Sequence, residues 1–256
     1  MPAPTPLSAC IITLDEADNI DACLESLAFC DEILVVDSGS TDGTRERAAA
    51  KGARVIEHPF AGYRAQKDFA VRSARHDWVL CLDADERVTP QLRASIEAAR
   101  ARDFADAAGY RCARATEYFG AFLRHGNAYP DRVMRLFDRR RGGFRGTREI
   151  HEHASVDGPV ATLTGDLEHR AYRSLSDQTG RLERYARMMA EHMQQSGKRA
   201  HVYKIVVNPF WRFVRGYVLR GGFLDGWRGL VYAYVEANYV RQKFIKHWLL
   251  ARGQKP

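Results

Sequence analysis

The 256-residue chain has few cysteines, no long apolar run and no strong compositional bias. Its cysteines are odd in number and form no CxxC pair, which argues against a disulfide framework or a zinc ribbon and indicates a reducing compartment; they are Cys10, Cys23, Cys30, Cys81 and Cys112. No apolar run approaches about 18 residues, so we expect no transmembrane helix. The opening residues MPAPTP put no basic segment before an apolar run, so we expect no secretory signal.

Charge is unevenly distributed along the chain. Hydrophobic residues make up 45% and charged residues 28%, which excludes wholesale disorder, and the net charge is +7. From Lys198 to the end, however, there are twelve Lys or Arg, two acids and 12 of the 27 aromatic residues, and the rest of the chain carries a net −3. Such a basic, aromatic segment suits an anionic membrane surface or nucleic acid. The alternative is a basic helical subdomain packed on the body.

The first half of the sequence alternates strand patterns with helix patterns. Strands are predicted over Leu7–Thr13, Glu32–Asp37, Arg54–Glu57 and Asp77–Asp83, and helices over Asn19–Leu27, Thr44–Ala50 and Tyr63–Ala74, with another beginning at Thr89-Pro90. This alternation predicts an α/β fold with a mostly parallel sheet and helices on both faces.

The second half follows a different pattern. Strands are predicted over Tyr110–Phe119 and Val133–Asp138, with one or two more over Ala154–His169. A helix is predicted over Ser176–Gln195. We expect a further helix to open at Asn208-Pro209 and end at Gly221-Gly222, and Asp225 to cap a long last helix.

Acids follow three of the four predicted parallel strands: Asp15-Glu16, Asp37, and the DADE segment Asp83–Glu86. Ligands of open α/β sheets bind beyond the carboxyl ends of the strands. Carboxylates there could hold Mg²⁺ or Mn²⁺ together with substrate phosphates, accept hydrogen bonds from a ribose or base, or do both. The alternative is that they cap helices or lie in solvated turns. A DxD triplet alone is weak evidence, and its position directly after an apolar strand makes it informative.

Four segments in this order, ACIITLDEADNI, EILVVDSGSTDGT, GYRAQKDFA and DWVLCLDADE, resemble family-2 glycosyltransferases with the GT-A fold, a Rossmann-like sheet flanked by helices. Three later segments, YFGAFLRHGNAYPDRVMRLFDRR, EIHEH and FLDGWRGL, resemble the lipopolysaccharide core β-1,4-glucosyltransferases. The resemblance runs from about Leu7 to Lys246. It implies a GT-A domain over 1–175, with a nucleotide-sugar half of about 1–105 and an acceptor half of about 106–175. A helical, basic, aromatic region follows over 176–256.

The resemblance implies a role for individual residues of the donor site. Contacts to the nucleotide sugar are implied for Thr13, Glu16, Asp37, Asp42, Gln66 and Asp83. Asp37 corresponds to the acid on the uracil or ribose edge, and Asp42 to the acid of the DGT turn, for which the alternative is that it only braces its loop. Asp83 and Asp85 correspond to the DxD pair, in which the second acid, Asp85, binds the metal and the first, Asp83, contacts the ribose or the metal. The chain departs from the family at Asp15 and Asp68, where the family usually has Asn.

Acceptor-side chemistry needs a general base, since the attacking hydroxyl must lose a proton. The resemblance maps a His-Glu pair onto His151-Glu152, so we assign the base to Glu152, with Glu149 in reserve. A zinc site is disfavoured because HEH is not HExxH, and His151 and His153 point to opposite faces of an extended segment. His169 resembles a histidine that completes metal coordination in some relatives, and the alternative is that it is merely hydrogen-bonded.

One basic residue is assigned to a phosphate. If DRVMRLF is a strand, Arg132 and Arg135 face opposite sides, so only one of them can clamp a phosphate with its planar fork. We assign this role to Arg135.

Together these features predict an inverting glycosyltransferase that uses a UDP-sugar and a divalent metal, Mg²⁺ or Mn²⁺. The expected reaction moves glucose from UDP-glucose onto a lipopolysaccharide inner-core or other lipid-linked saccharide, at the inner face of the cytoplasmic membrane. Alternatives are another UDP-sugar and cell-envelope glycan, or a non-catalytic nucleotide-sugar-binding scaffold. Nucleic acid is not expected as a partner, because no RNA- or DNA-reading motif is present. A nucleotidyltransferase is disfavoured because a Gly- and Lys/Arg-rich phosphate loop is missing near the amino terminus.

Overall fold

Four short strands rich in Ile, Val and Leu form the parallel half of the sheet. A computed structural model describes residues 4–145, 153–172 and 174–255. The strands are β1 (Leu7–Thr13), β2 (Glu32–Asp37), β3 (Arg54–Glu57) and β4 (Trp78–Asp83). They pair in the order β3-β2-β1-β4, with Thr13 opposite Asp37 and Ile12 opposite Asp83. The carboxyl ends of β1, β2 and β4 therefore share one edge of the sheet.

Alternate residues of these strands enter two apolar clusters, one on each face of the sheet. Leu80 and Leu82 of β4 pack in the cluster that contains α1 (Ile20–Ser26) and α4 (Pro90–Arg100), whereas Val79 and Cys81 pack with α3 (Tyr63–Ser73). The predicted coverage of both faces is thus confirmed. The short helix α2 (Thr44–Ala50) contributes Ala48 to the first cluster.

Helix α4 begins where the sequence predicts. The Thr89 hydroxyl accepts a hydrogen bond from the Leu92 N–H at 3.3 Å, and Pro90 occupies the first helical position, where its missing N–H costs nothing. The same hydroxyl donates to the Asp166 carbonyl at 2.7 Å, which joins this helix start to a later strand.

Antiparallel strands extend the sheet beyond β4. They are β5 (Glu86–Val88), β6 (Gly109–Tyr118), β7 (Ala121–Phe122), β8 (Asp131–Asp138) and β11 (Val160–His169), in the order β4-β8-β6-β11-β5 with β7 on β6. A separate hairpin pairs β9 (Gly142–Arg145) with β10 (His153–Val156). The sequence did not predict β5, β7 or β9, which have two to four residues each and are too short for a periodic pattern. β5 pairs antiparallel with the end of β11, so His169 lies opposite Glu86.

The chain divides into two compact units. We call Met1–Arg114 with Asp131–His169 the sheet unit, and Ala115–Pro130 with Arg170–Pro256 the helical unit. The helical unit contains α5 (Leu175–Gln195), α6 (Lys204–Phe213), a π-helical turn (Val214–Leu219), a 3-10 turn (Gly222–Asp225) and α7 (Gly226–Leu250). The predicted domains 1–175 and 176–256 stay a prediction.

Two details of the helical unit differ from expectation. Pro209 does not open a helix but lies inside α6, which begins at Lys204, since the Val207 N–H already donates to the Tyr203 carbonyl at 2.9 Å. Asp225 stands at the start of α7, but its carboxylate does not cap that helix. It accepts the N–H groups of Arg124 and His125 and the His125 Nδ1 instead. Among the helices that the structure describes, none combines the length and apolar character needed to cross a membrane.

Candidate functional site

The acids after β2 hold their own loop together. Asp37 is fully buried, its Oδ1 accepts the N–H groups of Gly39 and Ser40 at 2.9 and 2.8 Å, and its Oδ2 accepts the Ser40 hydroxyl. Asp42 accepts the Thr44 N–H at 3.0 Å, the Thr44 hydroxyl, and the Ala17 N–H at 2.9 Å. The Thr44 hydroxyl is the main cause that lowers the pKa of Asp42, and the slight burial of the carboxyl opposes it.

Three further residues of the predicted nucleotide site come from β1, the loop after it and α3: Thr13, Glu16 and Gln66. Thr13 ends β1, and among the described residues no partner hydrogen-bonds its buried hydroxyl. Glu16 accepts the Asn19 side-chain N–H at 2.8 Å, and its own N–H donates to the Thr44 hydroxyl. Gln66 is fully buried and donates to the Ser38 hydroxyl and the His58 carbonyl at 3.0 and 3.1 Å, so it ties together the loops after β2 and β3.

The two departures from the family pattern have structural partners. The Asp15 carboxylate accepts the Thr41 N–H at 2.9 Å, and Asp15 has a positive φ of 51°. The Asp68 carboxylate accepts the Phe144 N–H at 3.2 Å. In both places a carboxylate oxygen accepts a hydrogen bond from a backbone N–H, and the side-chain carbonyl of an Asn could accept the same bond.

Asp83, at the end of β4, lies between two cations. Its Oδ1 is 3.0 Å from the Lys67 Nζ, and its Oδ2 is 2.9 Å from an Arg135 guanidinium nitrogen. Burial alone raises the pKa of Asp83, but Lys67 and then Arg135 outweigh it and hold the pKa well below its usual range. Asp83 is therefore a carboxylate at any pH in which the protein works.

Arg135 belongs to a buried chain of charges behind Asp83. The same guanidinium nitrogen lies 2.5 Å from Glu86, which is fully buried and also accepts from Arg114 at 3.1 Å. Burial opposes the charge of Arg135, but Glu86 and Asp83 outweigh it and raise the pKa of the guanidinium. Arg114 is in turn bonded to Asp131 at 2.7 Å. As predicted for a strand, Arg132 faces away and is exposed.

Asp85 and His169 meet at the same edge with unused atoms. The His169 Nε2 lies 3.5 Å from the Asp85 Oδ2, because β5 pairs with β11. The Asp85 Oδ1 and His169 Nδ1 are buried, and neither has a hydrogen-bond partner within the described residues. A buried carboxylate oxygen without a partner is costly, and a cation is one partner that would satisfy it.

These donors fit a divalent cation that is shared with a substrate. No group of three or more His, Cys, Asp or Glu side chains gathers as a metal cage within residues 4–145, 153–172 and 174–255. Mg²⁺ is commonly held by only one or two carboxylates together with substrate phosphates, so a complete protein cage is not required. Asp85 offers the free oxygen and His169 a second donor, whereas Asp83 is already paired with cations.

Part of the predicted acceptor side lies outside the described residues. This holds for both candidate bases, Glu152 and Glu149, and for His151, so the structure does not place them. His153 is described and begins β10 as an exposed residue.

Sequence reasoning did not single out Lys67 or Glu86 as site residues. Lys67 follows Gln66 directly and is only 8% exposed, which is unusual for a lysine. Glu86 completes the DADE segment and is fully buried. Both lie next to residues that the sequence singles out. Only the fold shows that the Lys67 side chain contacts Asp83 and that the Glu86 side chain contacts Arg135.

The chain is similar to known glycosyltransferases. The model of the family described as Glycosyl transferase family 2 matches residues 8–163. The lipopolysaccharide core biosynthesis glycosyltransferase LpsC of Rhizobium meliloti (strain 1021) is 34% identical over 96% of this chain and 95% of its own length. An uncharacterized glycosyltransferase of Rickettsia felis is 29% identical over 95% of this chain and 90% of its own.

Solved structures share the fold. A mannosyltransferase from Pyrobaculum calidifontis, in complex with GDP-Man and Mn²⁺, aligns with a TM-score of 0.55 at 15% identity, over 96% of this chain and 89% of that chain. Glucosyl-3-phosphoglycerate synthase from Mycobacterium tuberculosis aligns with a TM-score of 0.51 at 17% identity, over 76% and 81%. The fold and the edge of acids define a GT-A protein. The chain belongs to glycosyltransferase family 2 and is a transferase.

Proposed function

We propose that the enzyme transfers a sugar from a UDP-sugar, UDP-glucose in the first place, to the inner core of lipopolysaccharide with inversion at the anomeric carbon. The observation that carries the donor side is the cluster of Asp83, Asp85, Lys67, Arg135 and His169 at the carboxyl edge of the sheet. The acceptor class rests on LpsC, whose name places that relative in lipopolysaccharide core biosynthesis.

The residues of the edge would divide the work on the donor. Asp85 and His169 would hold a divalent cation, which supplies Lewis-acid stabilisation of the leaving diphosphate when bound. Lys67 and Arg135 bring two further positive charges to the same place. Asp83 fixes both cations before the donor arrives, so little reorganisation is needed during the reaction.

The nucleoside would bind on the loops after β1 and β2. Asp37 and Asp42 hold the loop after β2 rigid, and the Thr13 hydroxyl, which has no partner among the residues that the structure describes, remains as a donor or acceptor for the base or ribose. Glu16 completes this proposed nucleotide surface, and the fully buried Gln66 supports it by tying together the loops after β2 and β3. A rigid loop orients the anomeric carbon for displacement, and such positioning supplies a large part of the rate of group transfer.

Glu152 is proposed as the general base, with Glu149 in reserve. The change Glu152→Gln keeps the shape of the side chain and removes the proton acceptor. Turnover should fall about 10²-fold or more while UDP affinity stays near wild type. Glu149→Gln is the matched control, and the reverse result would exchange the two roles.

The donor is identified by a screen of UDP-sugars that measures UDP release with and without a lipid-linked core acceptor. We expect acceptor-dependent release with UDP-glucose, loss of that release in chelator and its recovery with Mn²⁺ or Mg²⁺. Release with GDP-mannose but with none of the UDP-sugars would contradict the proposed donor class. Full activity in chelator would contradict the proposed requirement for a divalent metal.

A membrane-bound acceptor requires an enzyme that reaches the lipid, and the helical unit exposes the necessary surface. Large apolar side chains recur at helical spacing along one face of α6, at residues 203, 206, 207, 210 and 211, and all are at least half exposed. More follow beyond α6. We define the apolar surface as these exposed residues: Val202, Tyr203, Val206, Val207, Phe210, Trp211, Val218, Leu219, Phe223, Leu224, Trp227, Leu230 and Tyr234.

Exposed basic residues accompany the apolar surface, and they favour an anionic membrane as its partner. Arg215, Arg220 and Arg241 are exposed and can attract anionic headgroups at about 1 kcal/mol each. Two other basic residues are engaged within the helical unit. Arg212 is bonded to Glu236, and Lys246 is buried and bonded to Glu183. We propose that the enzyme works at the inner face of the cytoplasmic membrane and rests on it through the apolar surface.

Vesicle sedimentation tests this placement. Binding to anionic vesicles should weaken in Val206→Ser/Phe210→Ser and in Arg215→Ser/Arg220→Ser. It should fall only partly between about 50 and 500 mM salt, because salt screens the charges and not the apolar contact. Phe60→Ser is the matched control, since Phe60 is equally an exposed aromatic but lies in the sheet unit. Equal pelleting of all variants, or none of the wild type, would contradict the proposal.

A further inference from the structure

A cavity of about 410 Å³ lies in the helical unit between α5 and α7. Its volume falls within the range of about 300–1,000 Å³ in which small ligands bind. None of its lining residues belongs to the donor edge of the sheet unit, and none belongs to the apolar surface. The transfer reaction proposed above leaves this cavity without a role.

The charged residues of its wall neutralise each other. The Lys246 Nζ lies 2.9 Å from the Glu183 carboxylate, and Lys246 is only 7% exposed. The Lys246 hydrogen bond is the main cause that lowers the pKa of Glu183, so the pair stays ionised and paired. A phosphate or carboxylate would find no uncommitted cation among the lining residues. The wall therefore suits a ligand without charge.

The rest of one wall consists of uncharged hydrogen-bonding groups. Asn238, Tyr239 and Gln242 line the cavity from α7, at spacings that place them on one helix face. They offer two carboxamides, each both donor and acceptor, and a phenol on an aromatic ring. Within the described residues, no hydrogen bond to protein occupies either carboxamide. Paired donors and acceptors beside a ring match the hydroxyls and the apolar face of a sugar.

Gly180 in the facing wall keeps the cavity open. It is interior to α5, where glycine is less favourable than alanine. Packing does not require it, because a Cβ built there would meet nothing closer than the end of the Arg184 side chain at 3.9 Å. Any larger side chain at this position would project into the space that the cavity occupies. The helix thus carries an unfavourable residue at a position that lines the cavity.

We propose that the cavity between α5 and α7 binds an uncharged sugar residue of the acceptor glycan, other than the residue whose hydroxyl reacts. The identity of the ligand as acceptor rests on the proposed function, whereas the binding of a sugar rests on the cavity alone. Binding energy from a non-reacting part of a substrate can be used at the reacting centre.

The test compares two substitutions at the same glycine in the full-length chain. Gly180→Leu fills the cavity, and Gly180→Ala adds one methyl group and serves as the control. Both should melt at or above the wild-type temperature because both improve helix propensity. The probe is delipidated, dephosphorylated inner-core oligosaccharide, with binding measured by saturation-transfer NMR and calorimetry. We expect Gly180→Leu to weaken binding about tenfold or more, and Gly180→Ala to stay within about twofold.

A second variant, Asn238→Ala/Gln242→Ala, removes the hydrogen-bonding groups and should show the same loss without filling the space. UDP binding is measured in parallel as a readout of the donor site and should not change in any variant. Inorganic phosphate should not compete with the oligosaccharide, and competition would overturn the assignment to an uncharged ligand. Oligosaccharide binding that is unchanged in Gly180→Leu and in the double variant would overturn the site.

The outcomes separate this proposal from the proposed function. If UDP-sugar transfer is observed but the oligosaccharide binds all variants equally, the cavity is overturned and the transferase function stands. If no UDP-sugar is turned over but Gly180→Leu abolishes oligosaccharide binding, the cavity stands and the proposed reaction is overturned.

Discussion

The loops after β2 and β4 both carry two acids at the same edge of the sheet, and the structure uses them differently. Asp37 and Asp42 direct their oxygens at N–H and hydroxyl groups of nearby loops, so their hydrogen bonds stabilise the chain itself. Asp83 faces two cations, and Asp85 keeps a buried oxygen without a partner in the described chain. Acids whose oxygens accept hydrogen bonds from nearby loops stabilise the structure. Acids that face cations, or that keep an oxygen without a partner in the described chain, are the ones that we expect to bind a ligand.

Replacing Asp85 tests the second half of this comparison most strongly. Asp85→Asn should lower turnover about 10²–10³-fold, the scale on which the loss of one preorganised electrostatic group acts. Stability should stay unchanged or rise, because the variant removes a buried charge that is poorly compensated in the free protein. UDP release and a thermal melt measure the two effects. A melting temperature lower by several degrees would assign Asp85 to structure instead.

In the buried chain of charges behind Asp83, a single substitution should destabilise the protein, and a paired substitution should destabilise it less. Arg135→Met leaves the buried Glu86 with Arg114 and the Asp83 backbone N–H as its partners, so we expect a loss of about 3 kcal/mol in the free energy of unfolding. Arg135→Met/Glu86→Gln should recover part of that loss. Urea unfolding of the two single variants and the double variant gives the coupling energy. Strict additivity would mean that the pair contributes nothing.

Asp37 should behave as a structural acid. Asp37→Ala leaves two backbone N–H groups and one hydroxyl without their acceptor, which should cost about 2 kcal/mol of unfolding free energy. The denaturant midpoint measures the effect. The comparison with Asp85→Asn is decisive, since one variant should lose stability and the other only activity. A fully stable Asp37→Ala would contradict the difference drawn between the two loops.

The smallest expected effect, and the most specific test, is the contribution of Asp42 to the pH dependence of stability. Its folded pKa is lowered, so its contribution to stability is complete above the unfolded pKa of about 3.9 and is lost as the pH falls through the folded pKa. Between about pH 6 and pH 3, wild type should therefore lose more stability than Asp42→Asn, by less than about 1 kcal/mol because the group is exposed. An equal loss of stability in both proteins would mean that the Asp42 carboxylate does not stabilise the loop.

The sequence predicts the parallel half well because its signals are local. Buried strands such as β2 read as continuous apolar runs, and Thr89-Pro90 marks a helix start by capping chemistry alone. The acids at the strand ends followed from topology, since parallel strands bring their carboxyl ends to one edge.

The rest depends on pairing between distant parts of the chain. Lys67 and Glu86 became site residues only when α3 and β5 were placed around Asp83. Pro209 was misread because proline is common at helix starts, and one missing hydrogen bond did not stop α6 from continuing through it. Arg212 and Lys246 belong to the basic C-terminal segment, and only the fold shows that each is bonded to an acid on another helix.

The pairing of β5 with β11 joins the DADE segment to a distant part of the chain. β5 has only three residues, and its local opening would break its pairing with β11 and the bonds of the buried Glu86 to Arg114 and Arg135. A ligand that touches both Asp85 and His169 can bind only the closed form, so it raises the cost of opening by RT ln(1 + [L]/Kd). Donor occupancy should therefore be visible as slower amide hydrogen exchange in Glu86–Val88 and at the end of β11, without any movement of the sheet. Substrate binding at this edge would then strengthen the joint between β5 and β11, two strands that lie far apart in the sequence.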